Sequence, residues 1–222
     1  GQSTFRMSTQ MDSNASEWDK KYCEKGWFAR SMPDLNQANP LVLNYLTQNA
    51  IWWIEYTDLD GLRVDTYSYN DKEGIAKWTK AIMDEYPHFN IMGEVWLNQS
   101  AQVSYWQKDS PISAIQSYNT YLPTVMDFPL FNAIGEAFRV TPSWDKGMMQ
   151  LYDNLTNDFL YKDINNLLIF AENHDTARLN HVYPKIADYK LIISMLATAR
   201  GIPQLYYGSE IGMAGDKSKG DG

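Results

Sequence analysis

The stretch 58-DLDGLRVDTYSYND-71 decides how the chain is read. Leu62 and Val64, on either side of Arg63, read with Gly61 as a short buried strand, yet Arg63 and Asp65 sit at its end. An unpaired charge in a buried strand is expensive, and residues two apart share one strand face. Arg63 and Asp65 are therefore either a structural ion pair or a pair put to chemical use. What surrounds the stretch decides between the two.

Upstream, "NPLVLNYLTQNAIWWIEYT" (39–57) opens with Asn39 at an N-cap and Pro40 at the first helical position, then spaces Leu43, Leu46, Ala50 and Ile54 along one helix face. Downstream, "DKEGIAKWTKAIMDEYP" (71–87) is again helical and ends before Pro87. The alternation continues along the chain. "NIMGEVW" (90–96), "TVMDF" (124–128), "NNLLIFAENHD" (165–175) and "GIPQLYYG" (201–208) read as strands. "PLFNAIGEAF", "SWDKGMMQLYDNLTNDFL" and "DYKLIISMLATAR" read as helices between them. Strands separated by helical segments make βα units of a parallel sheet.

The sheet is either open and doubly wound or closed as a (β/α)8 barrel. No Gly-rich phosphate loop follows any strand, which counts against a dinucleotide or P-loop fold. Polar residues gather instead at the carboxyl ends of strands: Asp65, Glu94, Asp127, His174 and Asp175. Barrel enzymes keep their chemistry at that rim. The expected fold is a (β/α)8 TIM barrel, here a fragment covering about strands four to eight. The first residue is Gly and the tail "GDKSKGDG" has no closing element, so sequence is expected on both sides, including three upstream strands.

The 222 residues are 44% hydrophobic and 21% charged, enough for a sizeable core. The formal charge of -8 and the lack of a Lys/Arg-rich block argue against nucleic acid and anionic membrane as partners. Runs such as "LIISMLATA" are about half the length of a membrane span, and the first residues lack a signal-peptide pattern. Cys23 is the lone cysteine, so neither an internal disulfide nor a Cys-based zinc site can form.

Carboxylates concentrated at one rim push each other's pKa values apart, and one ionised and one protonated carboxyl group is what glycoside hydrolysis needs. The motifs "DGLRVDTYSY", "IMGEVW" and "FAENHDTAR" resemble the strand-four, strand-five and strand-seven motifs of the α-amylase family of retaining glycoside hydrolases, in the right order. "SMPDLNQANPLV" is similar to the segment closing that family's loop domain, and "GIPQLYYGSEIGM" to its strand eight. The resemblance spans about residues 32–213. It implies Asp65 as nucleophile, Glu94 as general acid/base, and Asp175 as the carboxylate gripping the 2- and 3-hydroxyls of the sugar. Arg63 and His174 complete the set; Tyr67, Tyr69 and Trp96 are candidates for sugar stacking, whereas Trp52 and Trp53 are read as packing residues and Glu210 as a turn residue.

On this resemblance, residues 1–31 are a remnant of the loop domain inserted after strand three, and 32–222 the C-terminal part of the catalytic barrel. The family's strand-three motif has no match, so the fragment alone is expected to be inactive. Ser68 and Tyr69 stand where many members have Lys and His, and Asp34 where Lys is common. "MPDLN" resembles the segment of neopullulanase- and cyclomaltodextrinase-like members, which cut α-1,4 bonds in maltodextrin, pullulan and cyclodextrin. An oligo-1,6-glucosidase or a transglycosylating relative stays open. No cofactor is implied for the chemistry, no metal site is assigned, and a structural calcium would bind outside the readable motifs. The partner implied is an α-glucan; the resemblance leans to a bacterial periplasm, with oligomeric state undetermined. Two other classes fit less well: a non-catalytic glucan-binding barrel, against which the complete triad of Asp65, Glu94 and Asp175 counts, and a metal-dependent phosphohydrolase, for which only His88 and His181 remain as further ligands, neither in a strand-end motif.

Overall fold

The structure, a computed structural model, describes residues 1–220. By internal packing the chain divides into two units. The first comprises residues 1–96, 101–126 and 160–162; the second comprises 97–100, 127–159 and the residues from Asp163 on.

The first unit opens with helix α1 (Glu17–Glu24), capped by Ser16, whose hydroxyl accepts from the Asp19 amide. Helix α2 (Pro40–Thr57) begins as its sequence dictates, with the Asn39 side chain accepting from the Leu41 amide and Pro40 in the first turn. Strand β1 (Gly61–Val64) follows, then helix α3 (Lys72–Glu85), capped by Asp71, then strand β2 (Asn90–Gly93). After the short helix α4 (Ser100–Ser104) comes strand β3 (Thr124–Met126). β1 pairs parallel with β2, in the register Gly61 to Asn90 through Val64 to Gly93, and β2 pairs parallel with β3. Val64 and Gly93 thus end level, which puts Asp65 and Glu94 side by side at the carboxyl end of the sheet. Gly93 is required there, since a Cβ would lie 2.5 Å from Leu122 and 2.9 Å from the ring of Tyr67. Ile82, Ile91, Val95, Trp106, Leu122 and Val125 are fully buried and form the core.

In the second unit Asp127 caps helix α5 (Phe128–Arg139), its carboxylate accepting from the Leu130 amide at 3.0 Å. Phe128, Leu130, Ala133, Ile134 and Ala137 give that helix a buried face, and Phe128 and Phe131 pack on Phe170. Helix α6 (Met148–Leu155), strand β4 (Leu167–Ile169), helix α7 (Leu179–Val182), helix α8 (Ile186–Thr198) and strand β5 (Ile202–Pro203) complete it. β4 and β5 pair in parallel.

The predicted βα succession is present, with three differences. β4 and β5 are both shorter than their apolar runs; after β4, residues 170–173 leave the ladder while staying buried, and the Glu172 and Asn173 side chains turn to backbone amides beyond. The segment read as one helix over 143–160 is a turn at Ser143–Lys146, then α6, then a 3-10 turn at Thr156–Leu160. Trp52 and Trp53, expected to pack in a core, are 50% and 46% exposed and stack on one another and on Tyr56 along α2. The buried residues of α2 are Ala50 and Ile54, and the helix faces a cavity of ≈ 710 Å³ lined by Leu43, Leu46, Trp53, Leu62, Ile75 and Trp78.

Candidate active site

One guanidinium answers the question raised by Arg63. Its Nη1 lies 2.5 Å from Asp65 Oδ1 and its Nη2 lies 3.4 Å from Glu94 Oε2, so a single fork spans both carboxylates. The chain turns sharply immediately after Asp65. Thr66 adopts the left-handed conformation (φ 44°, ψ 38°), which a β-branched residue takes only when its surroundings enforce it. That turn aims the Thr66 amide at Glu94 Oε2, 2.8 Å away. The Glu94 amide donates to Val64 O and the Tyr67 amide to Glu94 O, so backbone bonds lock the two strand ends together.

The two carboxylates are not equivalent. The Asp65 side chain is 56% exposed and the Glu94 side chain 7%. Burial raises the Glu94 pKa above its ordinary value, and the adjacent Asp65, within hydrogen-bonding reach, raises it further. The Thr66 amide and Arg63 oppose the rise without cancelling it. A more buried carboxyl with a raised pKa thus stands beside an open one paired with Arg63, the division of labour that acid-assisted displacement requires.

In the second unit His174 and Asp175 occupy the turn after β4, with His174 Nε2 3.1 Å from Asp175 Oδ2. Asn173 builds that turn: its Oδ1 accepts from the Asp175 amide at 2.9 Å, and its own amide donates to Thr176 Oγ1 at 2.9 Å. Beneath it lies a polar core unforeseen from sequence. Glu172 Oε2 accepts from the Leu179 amide at 2.7 Å and Oε1 accepts from the Ser209 hydroxyl. Arg178, whose side chain is 2% exposed, lies 3.5 Å from Glu172 Oε2, donates to Tyr207 O, and places its guanidinium over the rings of Tyr206 and Tyr207. Gly208 (φ +82°) lets the backbone pass Arg178, where a Cβ would stand 2.6 Å from Nη2. Charged residues in the apolar run "LLIFAEN…TAR" carried a usable signal for this pair.

Other predicted residues fall differently. Tyr67 is fully buried, its hydroxyl shared with Thr79 Oγ1 at 2.8 Å and its ring edge-on to Trp106. It is a packing residue, not a sugar-stacking one, because the turn at Thr66 directs it inward. Tyr69 lies partly exposed one 3-10 turn beyond Asp65, and Trp96 is 43% exposed. Asp127, counted at the polar rim, is a buried cap and ion-pair partner: Arg200 Nη1 lies 2.7 Å from it, while Arg200 Nη2 lies 2.6 Å from Asp158. Glu210 sits exposed in the Ser209–Ile211 turn. Among the described residues no three His, Cys, Asp or Glu side chains are grouped to hold a metal ion, and no helix is long and apolar enough to cross a membrane.

The family described as "Alpha amylase, catalytic domain" matches residues 3–221. The chain belongs to the α-amylase family. It is 31% identical over 192 residues to the intracellular maltogenic amylase of Bacillus subtilis (strain 168), covering 85% of this chain and 30% of that protein. It is 32% identical over 191 residues to the cyclomaltodextrinase of Thermoanaerobacter pseudethanolicus, covering 83% of this chain and 30% of the relative. Among solved structures, the α-amylase of Geobacillus thermoleovorans, complexed with acarbose, superposes with a TM-score of 0.74 at 31% identity, over 90% of this chain and 43% of that one. The chain therefore spans about 30% of the length of these curated relatives. The α-amylase catalytic domain is a (β/α)8 barrel, and the parallel β-α succession described above is part of one. Chemistry in this family requires no cofactor.

Proposed function

We propose that the full-length protein is a retaining glycoside hydrolase acting on α-1,4-glucosidic bonds of starch-derived glucans: maltodextrin, pullulan or cyclodextrin. The observation that carries the reading is the Arg63 fork on Asp65 and Glu94, with Glu94 buried and its pKa raised beside an open Asp65. The kinship with maltogenic amylase and cyclomaltodextrinase supports the substrate class.

In this reading Asp65 attacks the anomeric carbon while Glu94 gives its proton to the departing glycosidic oxygen. Water then gives a proton back to Glu94 and displaces Asp65, restoring the starting configuration. Arg63 pairs with Asp65 and orients its carboxylate. Asp175, oriented by Asn173 and paired with His174, holds sugar hydroxyls. Tyr69 and Trp96 offer ring faces to the substrate. Residues 1–31 belong to the loop domain and 32–222 to the barrel. A bound calcium ion would serve stability and not the reaction.

The test is proton NMR of the sugar first released from maltoheptaose by the full-length protein, with pullulan, a cyclodextrin and isomaltotriose assayed in parallel. Initial α-anomer supports the reading. Initial β-anomer overturns it, and cleavage of isomaltotriose in preference to maltoheptaose moves the linkage to α-1,6.

A further inference from the structure

Thr66 links the two candidate carboxylates, and its left-handed backbone state (φ 44°, ψ 38°) is one a β-branched residue does not keep unaided. Something must hold it there. The Asn70 side chain closes the 3-10 turn Tyr67–Tyr69 from its far end: Nδ2 donates to Tyr67 O at 3.1 Å and, at 3.4 Å, to Thr66 O. The Tyr69 amide donates to Thr66 O as well, at 2.9 Å. Both carbonyls that follow the Thr66 amide are thereby fixed, and with them the direction of that amide, 2.8 Å from Glu94 Oε2.

Asn70 is itself oriented. Gln37 Nε2 donates to Asn70 Oδ1 at 2.9 Å, which engages the oxygen of that amide and turns its nitrogen to the two carbonyls. Gln37 is 8% exposed and lies tight against the first turn of α3, where a Cβ on Gly74 would stand 2.6 Å from Gln37 Cβ. A chain of contacts thus runs from Gln37 through Asn70 and Thr66 to Glu94. At its end Glu94 Oε2 faces two donors, the Thr66 amide and Arg63 Nη2 at 3.4 Å. An oxygen so occupied leaves Oε1 as the one to carry the proton.

We propose that Asn70, oriented by Gln37, is a positioning residue for the candidate acid: it holds Thr66 left-handed so that the Thr66 amide fixes Glu94 Oε2 and directs the proton to Oε1, the oxygen that gives it to the leaving group. This rests on the α-glucan hydrolase reading above and deepens it. Asn70 acts through the Thr66 backbone and takes no part in bond breaking. Without it the Thr66 residue relaxes to an ordinary backbone state, the amide swings away, and the Glu94 carboxyl loses its fixed angle. A misplacement of about 1 Å in a reacting group costs up to about 10²-fold in rate. The Thr66 amide also favours the ionised form of Glu94, so its departure is readable in the pH profile.

The test measures kcat, KM and the pH dependence of kcat/KM on maltoheptaose for Asn70→Ala and Gln37→Met in the full-length protein. Asn70→Ala is expected to lower kcat about tenfold to a hundredfold, with KM within about twofold of the parent. The alkaline limb of kcat/KM is expected to move to higher pH, because losing the Thr66 amide raises the Glu94 pKa further. Asp65, Arg63 and Tyr69 also face Glu94 among the described residues, and neither substitution alters them. Gln37→Met keeps the bulk against Gly74 and removes the donor to Asn70; the same changes are expected, smaller in size. Thr66→Gly added to Asn70→Ala is expected to recover part of the lost kcat, since glycine takes the left-handed state without support. An unmoved limb in Asn70→Ala, or a double variant no faster than Asn70→Ala, overturns the positioning role and leaves the α-glucan reading standing. If Asn70→Ala does not fold, Gln37→Met decides, and an unmoved limb there overturns the proposal. A parent that turns over no α-glucan overturns that reading, and the positioning role with it.

Discussion

The Arg63 grouping of the first unit and the Arg178 grouping of the second use the same residue types to opposite ends. At the end of β1, Arg63 reaches Asp65 and Glu94, and Asp65 stays more than half exposed. Behind β4, Arg178 and Glu172 are almost wholly buried, and both Glu172 oxygens are taken, one by the Leu179 amide and one by the Ser209 hydroxyl. A carboxylate whose acceptor sites are filled by fixed donors is a structural cap; one held on a single side and open on the other can still form a bond. Burial and donor count, more than residue type, separate chemistry from scaffolding.

The largest effect that could break this comparison is on rate. Asp65→Asn should lower kcat about 10⁴-fold with the melting temperature nearly unchanged, as expected for a group acting only in the reaction. Steady-state kinetics beside calorimetry checks it, and a rate within tenfold of the parent would make Asp65 structural. Next comes the ion-pair cluster of Arg200, Asp127 and Asp158 in the second unit. Arg200→Ala strands Asp127, whose side chain is 1% exposed, and should cost about 3–5 kcal/mol in denaturant unfolding. Glu172→Gln is isosteric but misplaces a donor and removes the charge facing Arg178. A loss of about 1–3 kcal/mol is expected, with less than a tenfold change in kcat.

A finer contrast lies in pH. The acid form of Glu94 is the working one, so kcat/KM should fall as pH rises through its apparent pKa, and that limb should lie above the ordinary glutamate value of 4.5. The same shift has a stability consequence. Because the folded-state pKa is raised, the stabilisation from Glu94 is full below the unfolded-state value and lost as pH rises through the folded one. Thermal melts of parent and Glu94→Gln should therefore diverge in the variant's favour across that range. The smallest effect is local: Asn39→Ala removes the cap of α2 and should cost about 1 kcal/mol.

Much of this was legible in the sequence, for physical reasons. Asn39-Pro40 and Asp71 announce helix starts because capping chemistry is local. Arg63 and Asp65 could be paired from strand periodicity alone. Nothing in "VDTYSY" reveals that Thr66 turns left-handed and directs the Tyr67 side chain inward. Glu172 carries a signal in the sequence, a charge directly after the apolar run "LLIFA", but its partners lie in a turn and on Ser209, distant in sequence. The N-terminal rings of Phe5 and Phe28 meet Tyr69 only through tertiary packing, and no spacing rule links positions 5, 28 and 69.

The most direct test is to trap the enzyme with a fluorinated α-glucosyl fluoride, which forms the covalent intermediate faster than it is hydrolysed, and to map the label by peptide mass spectrometry. One glycosyl group on Asp65, absent from Asp65→Asn, is the predicted result. Label on Glu172 or another carboxylate, with Asp65 unmodified, would contradict the assignment of the open carboxylate as the reacting one.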